Sequence, residues 1–207
     1  MQRSWLNIHK IRILVFSLLI LLSPVSLFAH PHVFIENKLD IVFSDDGLKG
    51  IRVNWVFDKI FSNMIFVDYD KNNNQKFEKE EKALIKEEAF SNLKDYNYFS
   101  HIKINKKNFE VKYIKDFNAS QKEGLLAYSF FIPCHVTATQ DKKEIRISIY
   151  DQTYYIDIAL AEEKPVNFDN HNNIEYTYTV KEIEEEDSPV IADEITVLFK
   201  KKEKVSG

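Results

Sequence analysis

The hydrophobic period of this chain changes twice, and that constrains its fold more than any other feature. From Val33 to Phe43 the apolar residues fall at every second position (Val33, Ile35, Leu39, Ile41, Phe43), interrupted at Asn37. His32, Glu36, Lys38 and Asp40 take the opposite face. Two-residue alternation marks a half-buried strand. Ser44-Asp45-Asp46-Gly47 reads as a turn. A second strand follows with Ile51, Val53, Trp55 and Phe57 on one side and Arg52 and Asn54 on the other, so a hairpin is predicted. At Asp58 the period lengthens. Ile60, Phe61, Met64 and Ile65 recur at helical spacing behind Asp58 as N-cap. After a polar loop, Asp68 to Lys76, a second helix is predicted from Glu78 to about Leu93, with Ala83, Ile85, Ala89, Phe90 and Leu93 apolar.

Strand patterns then return. Ile102–Ile104 and Phe109–Ile114 flank the turn residues Asn105 to Asn108, and Leu125–Ala138 reads as a long central strand. Ile145, Ile147 and Ile149 alternate, as do Tyr154, Ile156 and Ile158, with Asp151-Gln152-Thr153 as a tight connection. Ile174, Tyr176, Tyr178 and Val180 form another strand, and Ile195–Phe199 a last one. Roughly eight strands with one helical interruption predict a mainly-β fold, an antiparallel β-sandwich carrying an inserted helix–loop–helix at about 58–95. Residues 30–199 are expected to form one domain and 200–207 a disordered tail.

Residues 1–29 read as a signal peptide. Arg3, Lys10 and Arg12 precede an apolar run from Ile13 to Leu22, and Ala29 stands before His30-Pro31-His32. The run is shorter than the roughly 20 residues a bilayer span needs, and no later segment is long and apolar enough to cross. Processing after Ala29 leaves 178 residues and turns a formal net charge of −4 into −7, because the leader carries three basic residues and no acidic one. The expected location is the periplasm, with no stable membrane insertion after processing. Nucleic acid is a poor partner for such a surface. Cys134 is alone and cannot form an internal disulfide. With four glycines in the chain, no phosphate-cradling glycine loop is expected.

Two constellations can carry chemistry. The first is His30 and His32. Cleavage after Ala29 would place a free amine, the His30 ring and the His32 ring within a few bonds. Such nitrogens suit nickel, cobalt, zinc or copper, and an amine and an imidazole both titrate near neutrality. Pro31 has no amide proton, so a square-planar site built on deprotonated backbone amides cannot form. The plainer reading is a solvated pair of terminal histidines. The second constellation runs from Asp70 to Glu81. In a calcium-loop register Asp70, Asn72 and Asn74 take the first, third and fifth positions. Lys76 offers its carbonyl at the seventh, Glu78 sits at the ninth and Glu81 is the bidentate twelfth ligand. Gln75 stands where glycine normally makes the turn. With three carboxylates any calcium affinity is expected to be weak. The alternative is a surface turn that keeps the shape without the ion. His101, His135 and His171 read as packing or solvated residues, and Asp151 as a turn residue. No catalytic Ser–His–Asp or Cys–His set stands out, so no enzymatic activity is expected. A copper enzyme recruiting His101 or His135 as a third nitrogen is a minor alternative.

The ordered set His30-Pro31-His32-Val33-Phe34, Asn54-Trp55-Val56-Phe57-Asp58, the calcium-like loop, Tyr96-Asn97-Tyr98-Phe99, and Tyr150-Asp151 with Thr153-Tyr154-Tyr155-Ile156 resembles one exported bacterial family. That family is called domain of unknown function 1007, often labelled the periplasmic component of an uncharacterised ABC-type transport system. The resemblance spans nearly all of the processed chain. It implies a periplasmic protein whose relatives tend to accompany nickel/cobalt-type metal permeases, and it implies no enzymatic activity. The expectation is therefore a periplasmic accessory of divalent transition-metal transport, with a membrane permease as partner. The alternative is a periplasmic binding or scaffold module that uses no metal.

Overall fold

The computed structural model describes residues 32–169, 172–184 and 190–203. Residues 1–29, expected to be a signal peptide, lie outside them, as do His30, Pro31 and His171. Two sheets pack face to face. The larger contains β1 (Val33–Ser44), β2 (Gly47–Phe57), β5 (Lys115–Lys122), β6 (Leu125–Thr137), β8 (Ile156–Leu160) and β9 (Val166–Asp169), in the order β5-β6-β2-β1-β8 with β9 also on β1. The smaller contains β3 (Ser100–Ile104), β4 (Lys107–Phe109), β7 (Lys143–Ile149), β10 (Ile174–Glu184) and β11 (Ile191–Lys201), in the order β10-β11-β7-β3-β4.

The predicted β1–β2 hairpin is present, with Ile35 opposite Phe57 and Ser44 opposite Gly47. The expected inner faces of both strands are buried, and Asn37 is buried among them. Gly47 has φ +146°, and a Cβ there would lie 2.2 Å from the Val136 carbonyl oxygen, so this turn against β6 requires glycine. Most pairing is antiparallel, but β8 and β9 both run parallel to β1 along one edge. They share that edge because the chain between them bulges out. Ala161 N–H donates to the Asn37 carbonyl, and Leu39 N–H to the Pro165 carbonyl. The Asp151–Thr153 connection passes from the smaller sheet to the larger, since β7 and β8 belong to different sheets.

The helical insert begins where the period changes. α1 (Lys59–Tyr69) is capped by Asp58, whose carboxylate accepts from Ile60 N–H (2.7 Å) and Phe61 N–H (3.0 Å). Its inward face keeps Phe61 and Ile65 of the expected set and adds Ser62. Ser62 and Ile65 are buried, whereas Ile60 and Met64 point outward with Val67. The cause is Ser62, whose hydroxyl donates to the Phe57 carbonyl and accepts from Leu126 N–H, fixing the rotation of the helix. The second predicted helix is three pieces: α2 (Lys79–Leu84), a π turn (Ile85–Phe90) and a 3₁₀ segment (Ser91–Phe99).

β5 and β9 carry no clear alternation (Lys-Asp-Phe-Asn-Ala-Ser-Gln-Lys and Val-Asn-Phe-Asp) and were not expected as strands. β4 is shorter than the predicted Phe109–Ile114 because a two-residue turn, Asn105-Lys106, starts it early. Both residues have positive φ, as tight hairpin turns require. β11 extends to Lys201, two residues past the domain end expected at Phe199.

The core lies between the sheets around Trp55, which meets Phe130 edge-on at 4.9 Å and lies 6.2 Å from both Phe57 and Phe99. Among the described residues, three buried polar atoms lack a hydrogen-bond partner: Asn37 Oδ1, Trp55 Nε1 and the Tyr128 hydroxyl. Asn37 is opposite Trp55, and Trp55 opposite Tyr128, so the three form one row across β1, β2 and β6. Burial pushes the Tyr128 phenol well above its ordinary range. No described helix is long and apolar enough to cross a membrane.

Candidate functional site

The motifs that are scattered along the sequence meet at one end of the sandwich, around the start of β1. Two backbone clamps hold that start. On one side, His32 N–H donates to the Tyr155 carbonyl (2.9 Å). On the other, Phe34 N–H donates to Asp58 Oδ2 (2.9 Å) while Asp58 N–H donates back to the Phe34 carbonyl (2.9 Å). One Asp58 carboxylate therefore caps α1 and pins β1. The backbone is fixed and the side chains are left free: His32, Phe34 and Glu36 are all exposed. The His32 ring sits 5.0 Å from the Tyr155 ring. Phe34 and Glu36 line a groove of about 690 Å³ with Asp58, Asp157, Glu162 and Glu163, so the neighbourhood is acidic.

Asp151 organises the Tyr155 side. Its buried carboxylate accepts from Thr153 N–H (2.9 Å), the Thr153 hydroxyl (2.8 Å), Tyr155 N–H (3.2 Å) and Ile156 N–H (3.1 Å). These bonds hold Tyr154 at φ +56°, a left-handed conformation that an L residue otherwise avoids. The Tyr96-Asn97-Tyr98-Phe99 motif is a second strained joint, with Asn97, Tyr98 and Phe99 all at positive φ. Asn97 stabilises it by donating to the Ser100 carbonyl and accepting from Val111 N–H (2.7 Å). The Phe99 carbonyl then accepts from Tyr150 N–H (3.0 Å), linking this joint to the Asp151 loop. Strain that the surroundings over-determine is a mark of functional regions. In the sequence Asp151 reads as an ordinary turn residue; its partners two to five positions on are a signal that only the fold reveals.

The other histidines stand apart. His101 stacks on Tyr150 at 3.7 Å, with Nε2 3.2 Å from the Tyr150 carbonyl. His135 is exposed on β6 and pairs with Asp46 at 3.6 Å. Cys134 faces the other way and is buried, and burial pushes its thiol up to about 12. Among the described residues, no three His, Cys, Asp or Glu side chains form a group able to hold a metal ion.

The Asp70–Glu81 loop joins α1 to α2 in the expected register. Gln75 adopts φ +60°, the backbone conformation that glycine supplies in a calcium loop, so the turn survives the substitution. Phe77 stacks on Phe66 at 5.2 Å and anchors the loop to α1. The would-be ligands bond to the loop itself. Asp70, buried, accepts from Asn74 N–H (3.1 Å) and Gln75 N–H (2.8 Å). Glu81, buried, accepts from Lys71 N–H and Glu78 N–H, both at 2.9 Å. The side-chain oxygens of Asn72 and Asn74 accept from Asn74 N–H and Lys76 N–H, and their NH2 groups donate to the Glu78 carboxylate. Hydrogen bonding with the Glu81 side chain, and then with the Asn74 amide, draws the Glu78 carboxyl down to about 2. Lys76 borders this set.

Comparison with known proteins places the chain. The family model described as "Protein of unknown function (DUF1007)" matches residues 15–204, and the chain belongs to that family. It is similar to an uncharacterized 15.5 kDa protein in the trpE 3′ region of Spirochaeta aurantia, 33% identical over 100 residues, which is 48% of this chain and 71% of that protein. It is also similar to an uncharacterized protein of Haemophilus influenzae, 26% identical over 143 residues, 68% of this chain and 67% of the other.

Proposed function

We propose that this member of the DUF1007 family is an exported, periplasmic accessory of divalent transition-metal transport, which holds nickel, cobalt, zinc or copper at a processed N-terminus and serves a membrane permease. The observation that carries the reading is the clamped start of β1: a fixed backbone presents His32 beside an acidic groove. The donor chemistry fits a metal bound by rings and the terminal amine. Pro31 has no amide proton, and His32 N–H is already committed to Tyr155. Neither backbone nitrogen is available, which leaves the amine, His30 and His32 to hold the ion. A bound ion of this kind would be cargo, and the chain's part is to capture it and present it. The carboxylates of the groove raise the local cation concentration and so speed capture.

The test is metal stoichiometry on protein beginning at His30. One ion per chain is expected, lost in the His30→Ala/His32→Ala double variant and weakened when an extra residue precedes His30. Equal binding by all three preparations would overturn the reading.

The second reading, a scaffold module that uses no metal, is favoured by the outward stripe on α1, where Ile60, Met64 and Val67 are 75%, 55% and 81% exposed. Recovery of a permease in pull-downs that neither chelator nor histidine substitution affects would select it. The Asp70–Glu81 loop remains a proposed weak calcium site. Its three carboxylates and two amide oxygens match the ion chemically, but each must give up bonds to the loop's own amides to reach it.

A further inference from the structure

We propose that two copies of this chain associate through β10, pairing antiparallel about a two-fold axis at Tyr178 in the register that sets Glu175 opposite Lys181 of the second copy. An unpaired strand edge is a template for another strand, and proteins blunt such edges by making them short or bulged. The larger sheet does this: β5 is bulged between Lys115 and Asn118, and β8 and β9 are five and four residues long. At one end of the smaller sheet, β4 has three residues. At the other end, β10 has eleven, and its register with β11 runs without a break from Ile174 opposite Lys201 to Glu184 opposite Ile191. Among the described residues, β11 is its sole strand partner.

The side chains of β10 are suited to this pairing. On the face turned toward the sandwich interior, Tyr178 and Val180 are 47% and 40% exposed, although Val197 and Ile195 opposite them are buried. A second copy centred on Tyr178 places the two Tyr178 rings together and sets each Val180 against the other chain's Tyr176. On the outer face it sets Thr177 against Thr179 and Glu175 against Lys181, each twice. Aromatic with β-branched, Thr with Thr and opposite-charge pairs are the favourable cross-strand combinations. Registers that keep both interiors on one side but move the axis to Thr177 or Thr179 lose both charge pairs. Glu175 is already 3.4 Å from Lys200 of its own β11, so the second copy's Lys181 would complete a cation–anion–cation row. The interface is isologous and closed, joining the two smaller sheets into one continuous sheet.

Sedimentation of the processed chain over a concentration series tests this, with chelator present so that metal-bridged association is not read as pairing. A reversible monomer–dimer equilibrium is expected. Lys181→Glu puts like charges opposite twice and should weaken the dimer roughly ten- to thirtyfold. Adding Glu175→Lys to that variant should restore it, a rescue that loss of folding could not produce. Tyr178→Cys should give a disulfide-linked dimer on oxidation, with buried Cys134 taking no part. Three outcomes would overturn the proposal: a monomer at every concentration, a dimer indifferent to Lys181→Glu, or a dimer abolished instead by Met64→Lys on α1.

Discussion

The start of β1 and the Asp70–Glu81 loop both look like ion sites in the sequence, yet they use their polar groups in opposite ways. In the loop, side-chain oxygens are spent on the loop's own amides: Asp70 on Asn74 and Gln75, Glu81 on Lys71 and Glu78. At β1 the clamps act on the backbone, through the Tyr155 carbonyl and Asp58, and leave His32, Phe34 and Glu36 facing outward. A group already bonded within the fold must lose that bond before it can bind anything else, whereas a free group on a fixed backbone loses little entropy when it binds. The loop therefore spends its side chains on its own stability, whereas the β1 start leaves its side chains exposed.

Breaking the β1 platform should have the largest effect. Asp151→Ala leaves four part-buried donors without their shared acceptor (Thr153 N–H and hydroxyl, Tyr155 N–H and Ile156 N–H) and is expected to cost about 2 kcal/mol of folding stability in urea titrations. On the proposed function, transition-metal binding should fall with it, because the Tyr155 carbonyl that holds His32 loses its support. A loss within about 0.5 kcal/mol of zero would show that the connection stands without the carboxylate. The loop should respond in the other direction. Gln75→Gly relieves a left-handed glutamine and should raise stability by about 1 kcal/mol, and on the proposed calcium reading it should also tighten calcium binding in calorimetry. An unchanged or lower stability would mean that Gln75 is unstrained there. The smallest effect is a pH dependence. The Glu78 carboxyl is lowered from 4.5 to about 2 in the folded chain. Its contribution is thus fully present above about pH 4.5 and is lost as pH falls toward about 2. The stability difference between the parent and Glu78→Gln should hold across neutral pH and close over that interval; a constant difference would assign the low titration to something other than the loop.

Much of this molecule is legible in its residues, because strand period and capping are local. The β1–β2 hairpin, Asp58 as N-cap, the opposite faces of Cys134 and His135, and the loop register all follow from side chains a few positions apart. The misreadings have equally physical causes. Ile60 and Met64 look like a buried helical face, but one serine hydroxyl shared between the Phe57 carbonyl and Leu126 N–H turns α1 away from it. β5 and β9 are edge strands, and edge strands need no apolar alternation to be held by a neighbour's backbone. Asp151 has the composition of a turn and the burial of a core residue.

The sequence alone therefore determined most of the strands, the place of the helical insert and which face of β1 and β2 is dry, since those depend on spacing along one chain. The tertiary structure decided that β8 and β9 share an edge of β1 in parallel, that motifs more than a hundred residues apart clamp one strand end, and that, among the described residues, β10 is paired on one side only. Those outcomes come from hydrogen bonds between distant backbones, and backbone groups are the same at every residue, so no pattern of side chains records which will meet.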